Sequence, residues 1–358
     1  MFKLPNSRKS TVGFSIYMIN KICAKVALFW YYTAYMKKRL LSGVQPSGVM
    51  HIGNYFGAVK QFVDLQDKYD SSIFIADLHA VTTTQNKDNL SKNILEVAMD
   101  YLACGLDPEK VNLFKQSDIP EVAELAWNFN CITTVSYLER ATTYKDAHMK
   151  AKEVTAGLFD YPMLMAADIL IEDADIVPVG ADQKQHIEYA RDTAQKFNNT
   201  FGETFKIPEA LIMKEVAIVP GIDGRKMSKS YGNTIPLFGS DDEIKKAVMK
   251  IVTDSKTPEE PKDPEKCNIF ALHKLFLQGE SLQDLRARYE HGGLGYKESK
   301  EMLLNEIIAF ISPMRKKRES YMNNPEKVIS ILKEGANKIK PRITEKMRII
   351  RDNIGVNL

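Results

Sequence analysis

The sequence predicts an α/β protein in which a doubly wound parallel sheet is followed by an all-helical C-terminal domain. Short apolar runs typical of buried strands alternate with helical patterns of ten or more residues, and this order favours a parallel sheet. After Ser240 the strand pattern largely stops and the apolar spacing becomes helical. We therefore expect an N-terminal extension over 1–37, a Rossmann-like sheet domain with connecting helices over 38–240, and a helical domain over 241–358.

The individual elements follow from the same patterns. The predicted strands cover 39–44, 72–76, 111–115, 175–179 and 216–219. The predicted helices cover 54–68, 90–104, 119–130, 157–171 and 182–197, and then 241–252, 269–277, 282–289, 297–321 and 325–354. Parallel sheets of this kind bind nucleotides at the carboxyl ends of their strands, beside helix N-termini. Functional residues are therefore expected directly after the strands.

The composition is that of an ordinary globular protein. A chain of 358 residues with 44% hydrophobic and 27% charged residues is long enough for two domains and too apolar for disorder. The net charge of +3 excludes a histone-like protein that binds by charge alone. The four cysteines form no C-x-x-C pair, which favours a reducing, cytoplasmic location and gives no zinc or iron–sulfur site.

The first 37 residues differ from the rest. No Asp or Glu occurs before Asp64, whereas Lys and Arg recur from Lys3 onward. A basic leader without acids is typical of a transit peptide, which would place the protein in a mitochondrion or another organelle. Another interpretation is that translation starts at Met36, just before the first predicted strand. We prefer this second interpretation. The apolar run 26–36 is shorter than the about 20 residues that span a bilayer, so we expect no membrane attachment.

A turn rich in small residues follows the first strand. Gln45-Pro46-Ser47-Gly48 ends the strand, and His51-Ile52-Gly53-Asn54 opens the next helix. Small residues let backbone N–H groups approach an anion, and the helix N-terminus adds positive potential. By itself this pattern is more typical of a structural turn whose histidine caps the helix.

A second loop, Gly224-Arg225-Lys226-Met227-Ser228-Lys229-Ser230, precedes the helical domain. Packing explains two lysines and two hydroxyls poorly, whereas a mobile clamp that neutralises a splitting triphosphate explains them well. A solvated linker is the alternative. Together the two motifs resemble those of the class I aminoacyl-tRNA synthetases, and the tryptophanyl-tRNA synthetases of bacterial type in particular.

That resemblance implies an aminoacyl-tRNA ligase that activates L-tryptophan with ATP and loads it onto tRNA(Trp). It implies catalytic roles for His51, Asn54, Lys226 and Lys229, with Mg²⁺ carried on ATP and no metal held by the protein. The implied ATP-binding residues are Gln45, Pro46, Ser47, Gly53, Asn54, Gly180, Ala181, Asp182, Lys226, Met227, Ser228, Lys229 and Ser230.

The amino-acid pocket is expected on the helix over 157–171. Tyr161, Met165 and Asp168 fall on one face of it, and a carboxylate in so apolar a stretch needs a hydrogen-bond partner. For a lone Asp, a neighbouring helix cap or an arginine is the more usual partner. The segment Tyr161 to Asp168, however, resembles the tryptophan-pocket helix of the family, in which the Asp accepts the indole N–H. The implied tryptophan-binding residues are Asp168, Tyr161, Met165, Gln183, Leu41, His79 and Val179, although His79 is also compatible with a structural role.

An indole suits such a pocket, because it needs wide apolar contact and one acceptor. A required hydrogen bond rejects phenylalanine more strongly than cavity size does. Tyrosyl enzymes share the fold and are the closest alternative, but they lack Gln45-Pro-Ser-Gly combined with Ala-Ala-Asp. A small-molecule nucleotidyltransferase and a synthetase-like RNA-binding regulator are more distant alternatives.

Two further expectations concern charge. Basic residues outnumber acidic ones between Met314 and Arg351, which is compatible with binding the tRNA anticodon arm or with a solvated helix surface. One of Lys145, Lys150 and Lys152 is expected to reach the phosphates, and the residues do not say which. The family also implies a homodimer.

Overall fold

The computed structural model describes residues 37–149, 153–180, 184–212 and 219–358. Residues 39–358 belong to one compact unit. The strands are β1 (Arg39–Val44), β2 (Asp70–Ile75), β3 (Val111–Lys115), β4 (Ile176–Val179) and β5 (Glu209–Ile212). The helices are α1 (Ile52–Asn54), α2 (Lys60–Leu65), α3 (Asp77–Ala80), α4 (Lys87–Ala103), α5 (Glu121–Ile132), α6 (Val135–Leu138), α7 (Thr142–Met149), α8 (Ala156–Ile171), α9 (Lys184–Phe201), α10 (Asp241–Met249), α11 (Asn268–Phe276), α12 (Gly279–His291), α13 (Tyr296–Met322) and α14 (Pro325–Ile354).

The five strands form one parallel sheet in the order β3-β2-β1-β4-β5. The chain builds outward from β1 to β3 on one side and then returns to add β4 and β5 on the other. The connections therefore diverge between β1 and β4, and a cleft opens there beyond the carboxyl ends of the strands. This arrangement confirms the predicted α/β class with a doubly wound sheet and places the cleft beside the first turn.

The fifth strand differs from the expectation. The structure forms it from Glu209–Ile212, whereas we expected it at 216–219. Residues 216–218 of that expected strand lie outside the described residues, and Val219 belongs to no strand. β5 lies at the edge of the sheet, and its side chains are exposed or half-buried, unlike most of those in β1 and β2.

The core lies on both faces of the sheet, because consecutive residues of β1 point to opposite sides. Leu40 belongs to one apolar cluster and Leu41 to the other. Both clusters continue into the last two helices: Ile307 of α13 joins the first, and Ile343 of α14 joins the second. The two-layer cover of helices explains why β1 is apolar at adjacent positions.

The helices after residue 240 match the predicted ones to within a few residues. α14 packs so closely on β3 that a Cβ added at Gly335 would lie 2.0 Å from the carbonyl oxygen of Leu113. The helical part therefore shares a core with the sheet, and a domain boundary between 240 and 241 stays a prediction. In the ranges that the structure describes, no helix has both the length and the apolar character needed to cross a membrane.

Candidate functional site

A cavity of about 330 Å³ opens at the carboxyl ends of β1 and β4. Its walls are mostly apolar, with a few polar groups turned inward, which is the usual character of a small-molecule site. Leu41, Met165 and Val179, which were predicted as walls of the amino-acid pocket, all line it, as do Gln45 and Gly180. The polar groups that line it include His79, Tyr161, Asp168 and His186.

Asp168 lies at the wall of this cavity and is 4% exposed. The Gln116 amide donates to both carboxylate oxygens at 2.9 Å, and His79 Nε2 lies 3.1 Å from Oδ2. Burial raises the pKa of Asp168, while the hydrogen bonds from His79 and Gln116 oppose that shift. A carboxylate held in this way retains lone pairs that can accept one more N–H from a ligand in the cavity.

Gln116 was missed by the sequence analysis, although it is buried and connects three elements. Besides donating to Asp168, its Oε1 accepts the backbone N–H groups of Leu78 and His79 at the start of α3. It directly follows β3, and this position after a strand is the signal that could have identified it as a candidate. Through Gln116 the edge of β3 fixes the orientation of the Asp168 carboxylate.

Tyr161 and His79 form a second side of the cavity. The Tyr161 hydroxyl lies 3.0 Å from His186 Nε2, and the His79 and Tyr161 rings meet edge to face with centroids 6.4 Å apart. His186, on α9, was also missed as a site residue, although it stands in the segment that follows β4. The predicted residues Ala181, Asp182 and Gln183 in that segment lie outside the described residues.

The first turn is fixed by a capping box at the start of α1. The His51 ring accepts the backbone N–H of Asn54 at 3.2 Å, and the Asn54 side chain accepts the backbone N–H of His51 at 3.1 Å. Residues 50–52 also pair with 235–237 through Ile52 N–H to Ile235 O at 3.0 Å and Leu237 N–H to Met50 O at 2.9 Å. The capping role and the predicted functional role of His51 are therefore compatible.

The lysine loop, residues 220–232, packs directly against this turn. The backbone N–H of Gly53 points to Met227 Sδ at 3.3 Å, and Met227 itself is buried. Lys229 Nζ donates to the carbonyl oxygen of Ser47 at 2.7 Å. The Ser228 hydroxyl caps the short 3₁₀ helix Lys229–Tyr231 by accepting from the N–H of Ser230. The structure thus brings together two loops that lie far apart in the sequence.

The surroundings of this junction disfavour positive charge on both His51 and Lys229. Burial, together with the charge of Lys229, lowers the pKa of His51 to about 4, and burial lowers the pKa of Lys229. A bound polyanion would relieve the repulsion between these groups. Lys226 is exposed on the same loop, and Ser47 and Asn54 are exposed on the turn, whereas Pro46 is buried beneath them.

Of the three lysines considered after Arg140, Lys145 is exposed on α7, and Lys150 and Lys152 lie outside the described residues.

Comparisons with known proteins agree with this geometry. The family described as tRNA synthetases class I (W and Y) matches residues 36–312. The tryptophan–tRNA ligase of Fusobacterium nucleatum is 49% identical over 89% of this chain and 98% of its own length, and that of Campylobacter jejuni is 49% identical over 89% and 100%. The crystal structure of the Campylobacter jejuni tryptophanyl-tRNA synthetase complexed with ADP and tryptophan superposes with a TM-score of 0.85 at 48% identity, over 88% of this chain and 99% of that one. This chain therefore belongs to the class I tRNA synthetases of the tryptophan and tyrosine group and, within them, to the tryptophan–tRNA ligases.

Proposed function

We propose that this chain joins L-tryptophan to ATP, forming tryptophanyl-adenylate and pyrophosphate, and then transfers the tryptophanyl group to tRNA(Trp) with release of AMP. The observation that carries the proposal is the position of Asp168. Its buried carboxylate lies at the wall of an apolar cavity that shares β1 with the phosphate-facing turn. A ligand that fills the cavity with fused rings and presents one N–H satisfies both features.

In the first step, the carboxylate of the amino acid attacks the α-phosphorus of ATP in line, and pyrophosphate leaves. The substrate supplies the nucleophile, so the protein contributes alignment and donors for the charge that develops on the phosphates. We assign the donor role to His51, Asn54, Lys226 and Lys229. His51 acts as a neutral donor, because its lowered pKa leaves the ring uncharged near pH 7.

Mg²⁺ fits this site as a companion of ATP. The side chains that we assign to the phosphates are cationic or neutral, so the oxygen ligands that Mg²⁺ prefers come from the phosphates themselves. When bound, the ion neutralises phosphate charge. The side chains assigned above align the triphosphate, and we propose that it lies against the small residues Ser47 and Gly53 of the turn.

The tRNA partner needs a basic surface, and the structure narrows the choice of residues. Four basic side chains form ion pairs with carboxylates of the protein itself, which makes them less available to tRNA: Arg318, Arg342, Lys346 and Arg351. Lysines on α13 and α14 that are exposed, and so available to a phosphate backbone, include Lys316, Lys317, Lys333 and Lys340. The double variant Lys333→Glu/Lys340→Glu should raise the KM for tRNA and leave pyrophosphate exchange within twofold. An unchanged KM for tRNA would remove this surface from the proposal.

Homodimer formation and a cytoplasmic location complete the proposal. Light scattering on the purified chain should give twice the mass of a single chain; a monomer that is fully active would contradict the dimer. Fractionation of the source cells should place the protein in the cytoplasm, and recovery in an organelle would contradict that location.

The direct test of the proposed function is charging of tRNA(Trp) with labelled tryptophan, tyrosine or phenylalanine. Tryptophan should be attached in preference to the other two by on the order of 10⁴ in kcat/KM, because the site holds a buried acceptor for the indole N–H. Charging with tyrosine instead would select the tyrosyl alternative. Adenylate formation without charging would indicate a nucleotidyltransferase, and neither activity would indicate a regulator.

A further inference from the structure

The buried side-chain amide of Asn233 forms hydrogen bonds to several residues of the lysine loop. Asn233 follows the 3₁₀ helix Lys229–Tyr231 and Gly232, whose φ of +62° turns the chain back into the loop. Its side chain is 2% exposed, although the loop around it is largely at the surface. A polar side chain buried inside a surface loop indicates a specific hydrogen-bonding role.

Both ends of the Asn233 amide are used. Nδ2 donates to Asp223 Oδ1 at 2.7 Å and to the carbonyl oxygen of Lys226 at 3.1 Å. Oδ1 accepts the backbone N–H of Ser228 at 2.7 Å. The amide therefore fixes the backbone on either side of Met227, between Lys226 and Lys229.

The rest of the loop is shaped to keep the amide there. A Cβ added at Gly221 would lie 2.3 Å from Asn233 Nδ2, so the loop passes too close for any side chain at that position. The N–H of Ile222 donates to the Asn233 carbonyl oxygen at 3.0 Å. Asp223 is also held from its other side by Arg225, with 2.7 Å between Arg225 Nε and Oδ2.

We infer that Asn233 is the positioning residue of the lysine loop, which sets the path of the backbone from which Lys226 and Lys229 reach the phosphates. The inference rests on the proposed function. An aspartate at 233 cannot replace it, because a carboxylate has no N–H for the Lys226 carbonyl and would face the carboxylate of Asp223. Loss of the amide leaves both lysines in place and lets their backbone move.

Asn198 provides a matched control at the other end of the sheet. It is also a buried asparagine that organises a turn: its Nδ2 donates to the Phe205 carbonyl oxygen at 2.8 Å, and its Oδ1 accepts the N–H groups of Thr204 and Phe205. Asn198→Ala and Asn233→Ala therefore remove similar sets of hydrogen bonds. Only the second set lies in the lysine loop.

The first readout is tryptophan-dependent ATP–pyrophosphate exchange, with the Kd for tryptophan measured by calorimetry. Asn233→Ala and Asn233→Asp should lower kcat by on the order of 10- to 100-fold, since small misplacements of aligned groups have effects of this size. The Kd for tryptophan should stay within twofold, and Asn198→Ala should keep its kcat at a comparable loss of Tm. Equal losses of kcat in the Asn198 and Asn233 variants, or an unchanged kcat in the latter, would overturn the inference.

The second readout does not depend on activity. Arg225, Lys226 and Lys229 are trypsin sites within the loop, so cleavage there, followed by mass spectrometry, reports its mobility. Asn233→Ala should be cleaved at these sites about tenfold faster than wild type, whereas Asn198→Ala should not; equal rates would contradict the inference. If the alanine variant does not fold, Asn233→Ser takes its place in the exchange and trypsin assays, with the same expected and contradicting results. A wild-type protein that lacks exchange activity but shows the protected loop would refute the proposed function and leave the positioning role of Asn233 intact.

Discussion

The Lys229 ammonium donates a 2.7 Å hydrogen bond to the carbonyl oxygen of Ser47, joining two loops that are 182 positions apart in the chain. A backbone carbonyl is a neutral acceptor, and a phosphate oxygen is a stronger, charged one. A triphosphate that enters between the loops can therefore take Lys229 from Ser47. The contact places the Lys229 ammonium beside the turn on which we propose that the phosphates bind.

Replacement of Lys229 tests the role of this ammonium. We expect Lys229→Ala to lower kcat for pyrophosphate exchange by on the order of 10²–10³, the usual effect of removing one donor to a developing charge. Tryptophan binding should change less than twofold. Lys60→Ala is the control, because that lysine is exposed and its ion pair is with Asp64 in the same helix. Full turnover by the Lys229 variant would exclude the role.

Gly53 tests the close approach of the two loops. A Cβ at this position would lie 3.0 Å from His51 Nδ1 and 3.1 Å from Met227 Cβ, so Gly53→Ala should push the loop from the turn. We expect kcat/KM for ATP to fall about 10- to 100-fold. Gly57→Ala is the matched control, because nothing lies within 4 Å of its added Cβ. That variant should keep its activity, and equal activities of the two would show that the packing is not needed.

Asp168→Ala removes the proposed acceptor for the indole. Hydrogen bonds to charged groups contribute about 1.5–3 kcal/mol, so the KM for tryptophan should rise roughly 10- to 100-fold. The KM for ATP should stay nearly constant. Asp160→Ala, on the same helix, removes only an acceptor for the Asn130 side chain and serves as the control. An unaltered KM for tryptophan would take Asp168 out of the pocket.

The titration of His51 should contribute to the pH dependence of the free energy of unfolding. Its pKa is lowered to about 4 in the folded protein, against 6.5 without burial. Between these values the unfolded chain binds a proton that the folded protein does not, so the free energy of unfolding falls as the pH falls from 6.5 to 4. Asn is a good helix cap, so His51→Asn keeps the cap and removes the titration.

We therefore expect the Tm of wild type to fall more steeply than that of His51→Asn over this range. The carboxyl of Asp100, whose pKa is raised to about 6 by burial, has the opposite effect in both proteins. Only the difference between the two curves reports on His51. Parallel curves would show that the ring is not held in its uncharged form.

Replacement of Arg342 tests how much its contacts between α14 and the sheet stabilise the fold. It donates to Asp70 Oδ2 at 3.2 Å and Ser72 Oγ at 2.9 Å, and it pairs with the buried carboxylate of Glu172. Arg342→Met leaves Glu172 buried without its partner and should lower the free energy of unfolding by about 3–5 kcal/mol in urea titrations. Arg348→Met breaks only exposed pairs within the helix and should cost less than about 1 kcal/mol. Similar losses in both variants would refute the fastening role.

The central strands could be predicted from the sequence, because a strand that is buried on both faces has apolar residues at consecutive positions. Leu40 and Leu41 are adjacent, and each belongs to a different core cluster. β5 is an edge strand with no buried side chain, and its Glu-Ala-Leu-Ile is less apolar and less β-branched than the Val-Ala-Ile-Val at 216–219. The strand was therefore expected in the more apolar segment after it.

The candidate site was predictable where its residues form short motifs and unpredictable where distant parts of the chain meet. The turn and the lysine loop each carry their own pattern of small and charged residues. Gln116 reaches Asp168 across 52 positions, and no local spacing encodes that contact. Asn233 is uncharged and lies outside the lysine motif, so its role is visible only once its three hydrogen bonds are known.

We propose that one edge of the sheet holds a triphosphate between two loops and an indole beside Asp168. Exchange of labelled pyrophosphate into ATP, measured with wild-type protein and each of the three aromatic amino acids, tests it most directly. We expect rapid exchange with tryptophan and exchange near background with phenylalanine and tyrosine. Exchange that is independent of the amino acid, or that responds to tyrosine in preference to tryptophan, would contradict it.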